Sequence, residues 1–312
     1  MAALTSNELD RVYAALLAFA ASACGMFVMT RRPVPSRRFW LLILLVAILS
    51  TPFVIPPQDR VIRLLSTVFA VMLGAKAYDL AGDESASDLS PIGFAIYLFN
   101  PFSIVRRLVI AERKHPASSN WLSVGINGLL GVVALFIAIR TFSINWLDHA
   151  AITERCAKTF SVFFVIQFLP NALAALGRRF GVASTDFSGA FVLARTPAEF
   201  WRIYNRPAEQ FFRMHVFNPA GGRRHFVRAT LATFFVSGLI HEYVFDVAAG
   251  RLLGTQMLFF MIQAIAVIAT ARGRPNAKIS TIAIPATLAF NVLSGTIFMS
   301  SMNAVVRIWH PR

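Results

Sequence analysis

Charge, cysteine and lysine are all scarce in this sequence. Charged side chains make up only 14% of the 312 residues, apolar ones make up 56%, and the mean hydropathy is +0.61. Soluble domains carry about 25% charged residues, so this composition excludes an ordinary soluble protein. The two cysteines, Cys24 and Cys156, are isolated and indicate neither a disulfide framework nor a thiolate metal site.

Acidic residues are half as numerous as basic ones, with 15 Asp and Glu against 30 Lys and Arg, which gives a net charge of +15. In a soluble protein this excess would suggest nucleic acid as a partner. In a membrane protein it marks cytoplasmic loops, anionic lipid head groups or phosphorylated ligands, so we expect membrane lipids and no nucleic acid. Only four of the 30 cations are lysine, a bias typical of GC-rich bacteria, which favours a bacterial inner membrane.

Apolar runs of about twenty residues, the length that crosses a bilayer, recur along the chain. The candidate spans cover residues 12–30, 39–55, 61–80, 121–139, 160–176, 226–247, 252–271 and 279–300. No single soluble core could bury them all, so the bilayer must be the solvent. We predict an all-α polytopic membrane protein with about eight transmembrane helices, folded as a single domain over residues 1–312. Residues 90–105 are apolar but short and contain two prolines, which favours a re-entrant or interfacial helix.

The distribution of Lys and Arg among the loops predicts the orientation. Eight crossings place both termini on one side of the membrane. The loops after the first, third, fifth and seventh spans hold 19 Lys and Arg, whereas the opposite side holds nine. By the positive-inside rule, the loop over residues 177–225 is cytoplasmic and both termini are not.

Three catalytic signatures are missing from the sequence. It contains no Gly-x-x-x-x-Gly-Lys loop, no Gly-x-Ser-x-Gly elbow and no His-Glu-x-x-His pair, because Phe245 stands four residues after His241. These absences disfavour an ATPase, a serine hydrolase and a zinc protease. We expect neither a metal nor a cofactor.

A helix start is encoded at Thr196-Pro-Ala-Glu199, which offers an N-cap Thr, a Pro at the first helical position and a Glu at the capping-box position. Trp201 and Tyr204 follow on one side, which suits a helix in the membrane interface with its aromatic side chains toward the acyl chains. Pro207 removes a helical hydrogen bond and breaks the helix beside Asn205. An amide at this break can face inward or simply satisfy the freed backbone, and both interpretations stay open.

His241 is an ionisable residue that lies inside a predicted span. Counted from Phe226 at ~1.5 Å per residue, it is roughly 22 Å along the helix. Ionisable side chains at this depth are rare and face protein or a water-filled cavity. Ser237 and Gly238 leave room on the same face for a ligand or a close helix, and burial favours a neutral ring that can accept a proton. The alternative is a structural histidine bonded to another helix.

Other intramembrane polar residues are explained by packing. Interhelical hydrogen bonds account for the isolated amides, which are Gln167, Asn171, Gln263 and Asn291. Glu242 and Asp246 share a different face from His241, and we expect a structural pair with Arg251 or Arg140.

One motif set resembles a known family. Phe200-Trp-Arg-Ile-Tyr-Asn205-Arg-Pro207, then Arg213-Met-His215, then Ser237-Gly-Leu-Ile-His241-Glu-Tyr243 in a span are similar to the membrane-bound O-acyltransferase superfamily. The pattern covers residues 196–245. It is most similar to the diacylglycerol and sterol acyltransferase branch, whereas the short chain and Glu199-Phe-Trp201 are closer to the wax synthase-like branch.

The resemblance implies transfer of an acyl group from acyl-CoA, as co-substrate, to the hydroxyl of a lipid-like alcohol, which would form a wax ester, an acylglycerol or a similar ester. His241 matches the general base of the family and Asn205 its partner, inside a tunnel through the helical fold. A neutral imidazole can take the alcohol proton, and the amide can orient the alcohol or donate to the oxyanion. The expected substrate-binding residues are Trp201, Tyr204, Ser237 and, for the CoA phosphates, Arg206, Arg213, Arg223 and Arg224.

Two alternatives stay open. An enzyme on the same scaffold could transform an isoprenoid without CoA, which would require acids near the site such as Asp79, Glu242 or Asp246. A lipid transporter is disfavoured because the sequence shows no inverted repeat. The acceptor alcohol, the acyl length and a carrier protein in place of CoA are left undecided, and the sequence is compatible with a homo-oligomer.

Overall fold

The computed structural model describes residues 6–108, 121–146, 150–273 and 277–310. Four cations of the charge count lie outside these ranges, namely Arg113, Lys114, Arg274 and Arg312. The described residues form eleven α-helices and no strand. The helices are α1 (Ser6–Thr30), α2 (Val34–Ser50), α3 (Arg60–Ala81), α4 (Pro91–Phe99), α5 (Trp121–Ser143), α6 (Ala151–Arg179), α7 (Pro197–Ile203), α8 (Arg206–Phe212), α9 (Phe226–Ala249), α10 (Thr255–Thr270) and α11 (Ala277–Val306).

Seven of the described helices are long and apolar enough to cross a membrane, namely α1, α2, α3, α5, α6, α9 and α11. They coincide with seven of the eight predicted spans, which confirms the all-α polytopic membrane fold. The predicted span over residues 252–271 is shortened, because Gly254 adopts φ +73° and α10 begins only after it, with 16 residues. At ~1.5 Å per residue α10 is roughly 24 Å long, less than the ~30 Å hydrocarbon layer.

The chain divides into two compact units. Unit 1 comprises Met1–Ile110 and Glu242–Leu253, and unit 2 comprises Ala111–His241 and Gly254–Arg312. The division therefore falls within α9, directly after His241. The single domain expected over residues 1–312 stays a prediction.

In unit 1 the apolar core lies between α1, α2, α3 and α4. The nine residues of α4 begin with Ser90, whose Oγ accepts a hydrogen bond from Gly93 N at 3.0 Å. At the other end, the buried Lys76 Nζ donates to the Leu98 and Asn100 carbonyls at 3.0 and 2.8 Å. A helix of about 14 Å cannot cross a bilayer, so the prediction of a short helix in this segment is confirmed.

A buried polar network holds the residues that follow α3. Arg106 donates from its main-chain N to Asp79 Oδ2 at 2.8 Å and from its guanidinium to Asp83 Oδ2 at 2.6 Å. The side chains of Arg106 and Asp83 are only 8% and 3% exposed. Tyr97 also donates to Asp79, and Arg37 donates to the Asp83 carbonyl at 2.6 Å. We refer to these five residues as the polar network of unit 1.

Candidate active site

A cavity of about 440 Å³ lies within unit 2. We call it the aromatic cavity because eleven aromatic side chains line it, namely Phe163, Phe200, Trp201, Tyr204, Phe212, Phe217, Phe226, Phe234, Phe259, Phe260 and Phe298. Both predicted catalytic residues, His241 and Asn205, line it. So do five of the predicted substrate-binding residues, namely Trp201, Tyr204, Ser237, Arg213 and Arg223.

The His241 ring is fixed in the cavity wall by its own helix. Its Nδ1 lies 2.8 Å from the Ser237 carbonyl oxygen, one turn earlier in α9. Since a carbonyl can only accept, Nδ1 carries the proton and Nε2 of a neutral ring keeps its lone pair. Phe260 and Phe298 pack against the ring with centroids 4.6 and 5.7 Å away. This hydrogen bond lies within α9, unlike the bond to another helix that a structural histidine would make.

The two small residues before His241 have different roles. Ser237 is buried and lines the cavity, as expected for a ligand-facing residue. Gly238 instead permits a close helix, since a Cβ there would lie 3.1 Å from Met257 Sδ and 3.4 Å from Met257 Cα in α10.

Asn205 lies at the break between α7 and α8 in a left-handed conformation, with φ +31° and ψ +65°. Asparagine tolerates this region better than most residues. Its Oδ1 accepts a hydrogen bond from Ala208 N at 3.2 Å and so caps α8. Because Oδ1 is used by this cap, Nδ2 is the end of the amide that can donate to a ligand. Asn205 therefore combines both interpretations of the sequence, because it satisfies backbone and also lines the cavity.

The carbonyl freed by Pro207 is satisfied elsewhere. Ile203 O accepts a hydrogen bond from Gly189 N at 2.8 Å, in the loop before α7. Arg206 N donates to Phe187 O in the same loop at 2.7 Å. Two hydrogen bonds to one loop thus bracket Asn205.

Trp201 and Tyr204 face protein, so the prediction that they point toward lipid acyl chains is wrong. The Tyr204 ring stacks on Phe200 with centroids 5.0 Å apart, and the Trp201 ring lies edge-on to Phe234 at 5.2 Å. Burial raises the pKa of Tyr204 to about 12, so its phenol stays protonated. The predicted helix start is confirmed by the Thr196 cap on Glu199 N at 3.1 Å. The rings of Trp201 and Tyr204 therefore pack against other rings of unit 2 instead of against acyl chains.

Two amides in the cavity wall behave differently. Gln263 makes the interhelical bonds expected of it, accepting from Trp201 Nε1 at 2.9 Å and donating to Ser294 Oγ at 2.8 Å. Asn291 is 2% exposed, and neither its Nδ2 nor its Oδ1 has a hydrogen-bond partner among the described residues. The interhelical bond expected for Asn291 is therefore wrong. In the sequence Asn291 resembles Gln263, because both amides are isolated in apolar spans.

A second depression in unit 2, of about 1820 Å³, is lined by six arginines. We call it the basic groove, and its arginines are Arg195, Arg202, Arg223, Arg224, Arg228 and Arg272. Five residues line both the groove and the aromatic cavity, namely Ala198, Arg202, Arg223, Phe226 and Val267. The groove therefore adjoins the cavity.

The four predicted phosphate-binding arginines occupy four different positions. Arg224 lines the groove alone, Arg223 lines both depressions, and Arg213 lines the cavity. Arg206 lines neither and contributes through its main-chain bond to Phe187. Sequence reasoning overlooked Glu209, which lines the cavity 3.5 Å from Arg213 Nε. Burial raises the pKa of Glu209, and the arginines around it oppose that effect.

The acids considered for an alternative chemistry belong to unit 1. Asp246 Oδ1 accepts from Leu253 N at 2.8 Å and closes the turn after α9, rather than pairing with the Arg251 side chain. Asp79 belongs to the polar network of unit 1. The described residues contain no cluster of His, Cys, Asp or Glu with the geometry of a metal site.

Comparison with known proteins identifies the family of this chain. Sterol O-acyltransferase 1 of Saccharomyces uvarum is 32% identical over 129 residues, which cover 38% of this chain and 20% of that protein. The model of the MBOAT, or membrane-bound O-acyltransferase, family matches residues 126–305, a range that contains Asn205, His241 and Asn291. This chain belongs to the membrane-bound O-acyltransferase family.

Proposed function

We propose that this protein transfers an acyl group from acyl-CoA to the hydroxyl of a lipid-like alcohol. The observation that supports it most is one apolar cavity that holds a histidine with an accepting Nε2 and an asparagine with a donating Nδ2, beside a groove of six arginines. Each part of this arrangement suits one part of the reaction.

His241 is the proposed general base. Its Nε2 takes the proton of the alcohol as the alcohol oxygen attacks the carbonyl carbon of the thioester. The tetrahedral intermediate then collapses, the carbon–sulfur bond breaks, and the thiolate leaves with the pair of electrons and recovers the proton from the imidazolium. A thiol pKa of about 8.5 makes sulfur a good leaving group, so no covalent acyl-enzyme is needed.

The amides supply the polar contacts. Asn205 Nδ2 donates to the thioester carbonyl oxygen as negative charge develops on it. Asn291, whose amide has no hydrogen-bond partner among the described residues, provides a second contact for the carbonyl or the hydroxyl. The aromatic wall keeps water away from the acyl chain, which protects the thioester from hydrolysis.

The basic groove is the proposed site of the CoA phosphates. Guanidinium groups bind phosphate through paired hydrogen bonds. Because Arg202 and Arg223 line both the groove and the cavity, a donor held by its phosphates could extend its thioester into the cavity. A sterol is one acceptor to test, since the yeast protein that this chain matches in part is named a sterol O-acyltransferase.

The isoprenoid alternative receives less support. It requires acids beside the substrate, and Glu209 is the one acid among the described residues that line the cavity. Asp79, Glu242 and Asp246 are not part of that lining.

The test uses the purified protein in phosphatidylglycerol-containing nanodiscs, with radiolabelled palmitoyl-CoA and separate acceptors: hexadecanol, dioleoylglycerol and ergosterol. We expect one acceptor to yield labelled ester with release of one CoA thiol per ester. Ester formation without thiol release, or thiol release without ester in every acceptor, would contradict the proposal. Geranylgeranyl diphosphate serves as the substrate of the competing class.

The proposed orientation places the basic groove on the cytoplasmic side of a bacterial inner membrane, where acyl-CoA is made. Asn218 and Leu252 are exposed, Asn218 before α9 and Leu252 after it. An impermeant maleimide on intact cells should label Leu252→Cys and spare Asn218→Cys, in a background without Cys24 and Cys156. The reverse pattern would overturn this orientation.

A further inference from the structure

The loop over residues 187–189 lies between two parts of unit 2. On one side it contacts polar side chains of α6, and on the other it contacts the backbone on either side of Asn205. We call these three residues the clamp segment. Its contacts with α6 and with Ile203 and Arg206 include five hydrogen bonds to its main-chain atoms, and Asn171 Nδ2 also donates to Ser188 Oγ at 3.2 Å.

The α6 side of the clamp segment is formed by two buried amides. Asn171 binds both main-chain polar atoms of Ser188: its Nδ2 donates to Ser188 O at 3.0 Å, and its Oδ1 accepts from Ser188 N at 3.0 Å. Gln167, one turn earlier, donates from Nε2 to Gly189 O at 2.8 Å. All three residues are at most 7% exposed. The segment is therefore held to α6 in one register.

The other side of the segment binds the backbone at the break between α7 and α8. Phe187 O accepts from Arg206 N at 2.7 Å, and Gly189 N donates to Ile203 O at 2.8 Å. A Cβ on Gly189 would lie 3.2 Å from Ile203 Cβ, so the close approach depends on glycine. Between these two bonds, Asn205 adopts φ +31°. A non-glycine residue keeps such a conformation only when its surroundings enforce it.

We infer that Asn171 and Gln167 are positioning residues for Asn205, which act through the clamp segment. This inference rests on the proposed catalytic role of Asn205. Removing the amide at position 171 frees Ser188, loosens the two bonds to Ile203 and Arg206, and lets Asn205 leave the left-handed region. Asn205 then loses its fixed position in the wall of the aromatic cavity.

A matched control is available on α10. Gln256 is a buried amide whose Nε2 donates to a main-chain carbonyl, Phe298 O, at 3.0 Å, and whose Oε1 has no partner among the described residues. Gln167 has the same bonding, with an unpaired Oε1 of its own. Gln256→Leu therefore removes an equivalent bond that does not reach the clamp segment.

Amide hydrogen exchange in nanodiscs tests the positioning directly, without any substrate. Asn171→Leu and Gln167→Leu should accelerate exchange in a peptide covering residues 203–209, which contains the protected Arg206 and Ala208 amides. Gln256→Leu should not. Gly189→Ala, which leaves α6 intact, should act in the same direction if Asn171→Leu fails to fold. Unchanged exchange in the folded α6 variants, or equal acceleration in Gln256→Leu, would overturn the inference.

Kinetics separate this inference from the proposed function. With palmitoyl-CoA and the acceptor found above, Asn171→Leu should lower kcat on the order of 10- to 100-fold, as a misplaced catalytic group does, with KM for palmitoyl-CoA unchanged. In the Asn205→Ala background the same substitution should have almost no further effect. Full additivity would reject positioning through Asn205 while leaving its catalytic role intact. If Asn205→Ala alone keeps its kcat, the proposed role of Asn205 fails, and this inference fails with it.

Discussion

The polar network of unit 1 and the polar lining of the aromatic cavity solve the same problem in opposite ways. Both put amides or charges into an apolar environment. In the network, the Asp83 carboxylate receives the Arg106 guanidinium at 2.6 Å and the Asp79 carboxylate receives Arg106 N at 2.8 Å. In the cavity, Asn291 has no partner for either end of its amide among the described residues.

The bonded side chains of the network suit a structural role, whereas the unbonded amide of Asn291 suits contact with a ligand. A buried polar group without a partner costs free energy, about 1–3 kcal/mol for a neutral group. That cost is recovered on binding where a ligand supplies the missing bonds. Bonded polar groups such as those of the network instead hold the backbone in place, so their loss should affect folding rather than transfer. We therefore expect substitutions in the cavity lining to lower transfer more than stability, and substitutions in the network to lower stability more than transfer.

The largest effect is expected for His241→Ala. General-base catalysis contributes about 10²–10⁴-fold, so single-turnover transfer should fall by that range. The thermal midpoint should change little, because the Ser237 carbonyl that loses Nδ1 still accepts its helical hydrogen bond. His215→Ala is the control, since that ring packs on Phe211 at 4.9 Å and does not line the cavity. Parallel loss of midpoint and activity in His241→Ala, with turnover per folded molecule preserved, would make this histidine structural.

The opposite balance is expected in the network. Arg106→Met leaves the Asp83 carboxylate buried and unpaired, and breaking such a pair costs about 3–5 kcal/mol. The thermal midpoint should fall strongly while turnover per folded molecule persists. Arg107→Met is the matched control, because its exposed guanidinium donates to a main-chain carbonyl, Gly82 O, at 3.1 Å and to no carboxylate among the described residues. An equal shift for both variants would show that the network contributes no special stability.

The sequence predicted most of the membrane helices and singled out two residues that line the aromatic cavity. Length and hydropathy were sufficient for the spans, because crossing a bilayer requires about twenty apolar residues. His241 was recognised by its depth. Asn205 was recognised by its place beside Pro207, which local backbone rules alone make a break. Each of these signals comes from residues close together in sequence, so it can be recognised without knowledge of the fold.

What the sequence could not show depends on contacts between distant residues. Whether Asn291 has a partner is decided by helices far apart in sequence, so it resembled Gln263 until their bonds could be compared. Trp201 was read as facing lipid because a seven-residue helix does not reveal which neighbour covers it. The shortened α10 followed from one glycine angle, at Gly254.

A smaller effect is expected for a charge in the basic groove. Arg223 is exposed and lines both depressions, so Arg223→Gln should raise KM for palmitoyl-CoA, on the order of 3- to 10-fold, with kcat nearly unchanged. Such a change removes binding that the ground and transition states share. The shift should shrink at high salt, because exposed charges are screened. Arg251→Gln, exposed and outside the groove, is the control. Identical KM values for the two variants would limit the groove arginines to contacts with lipid.

The smallest effect is expected for Asn291→Leu, and it tests the contrast between the two regions most directly. Leucine has the same branched arrangement of four side-chain heavy atoms as asparagine without its polar atoms, and the aromatic cavity that Asn291 lines leaves space for the larger methyl groups. If Asn291 is unpaired, the thermal midpoint should stay constant or rise, because the cost of a buried unbonded amide disappears. Transfer should still fall by about two- to tenfold, the worth of one hydrogen bond to substrate. Gln263→Leu, which breaks bonds to Trp201 and Ser294, should instead lower the midpoint. A destabilised Asn291→Leu with normal transfer per folded molecule would place Asn291 with the structural amides.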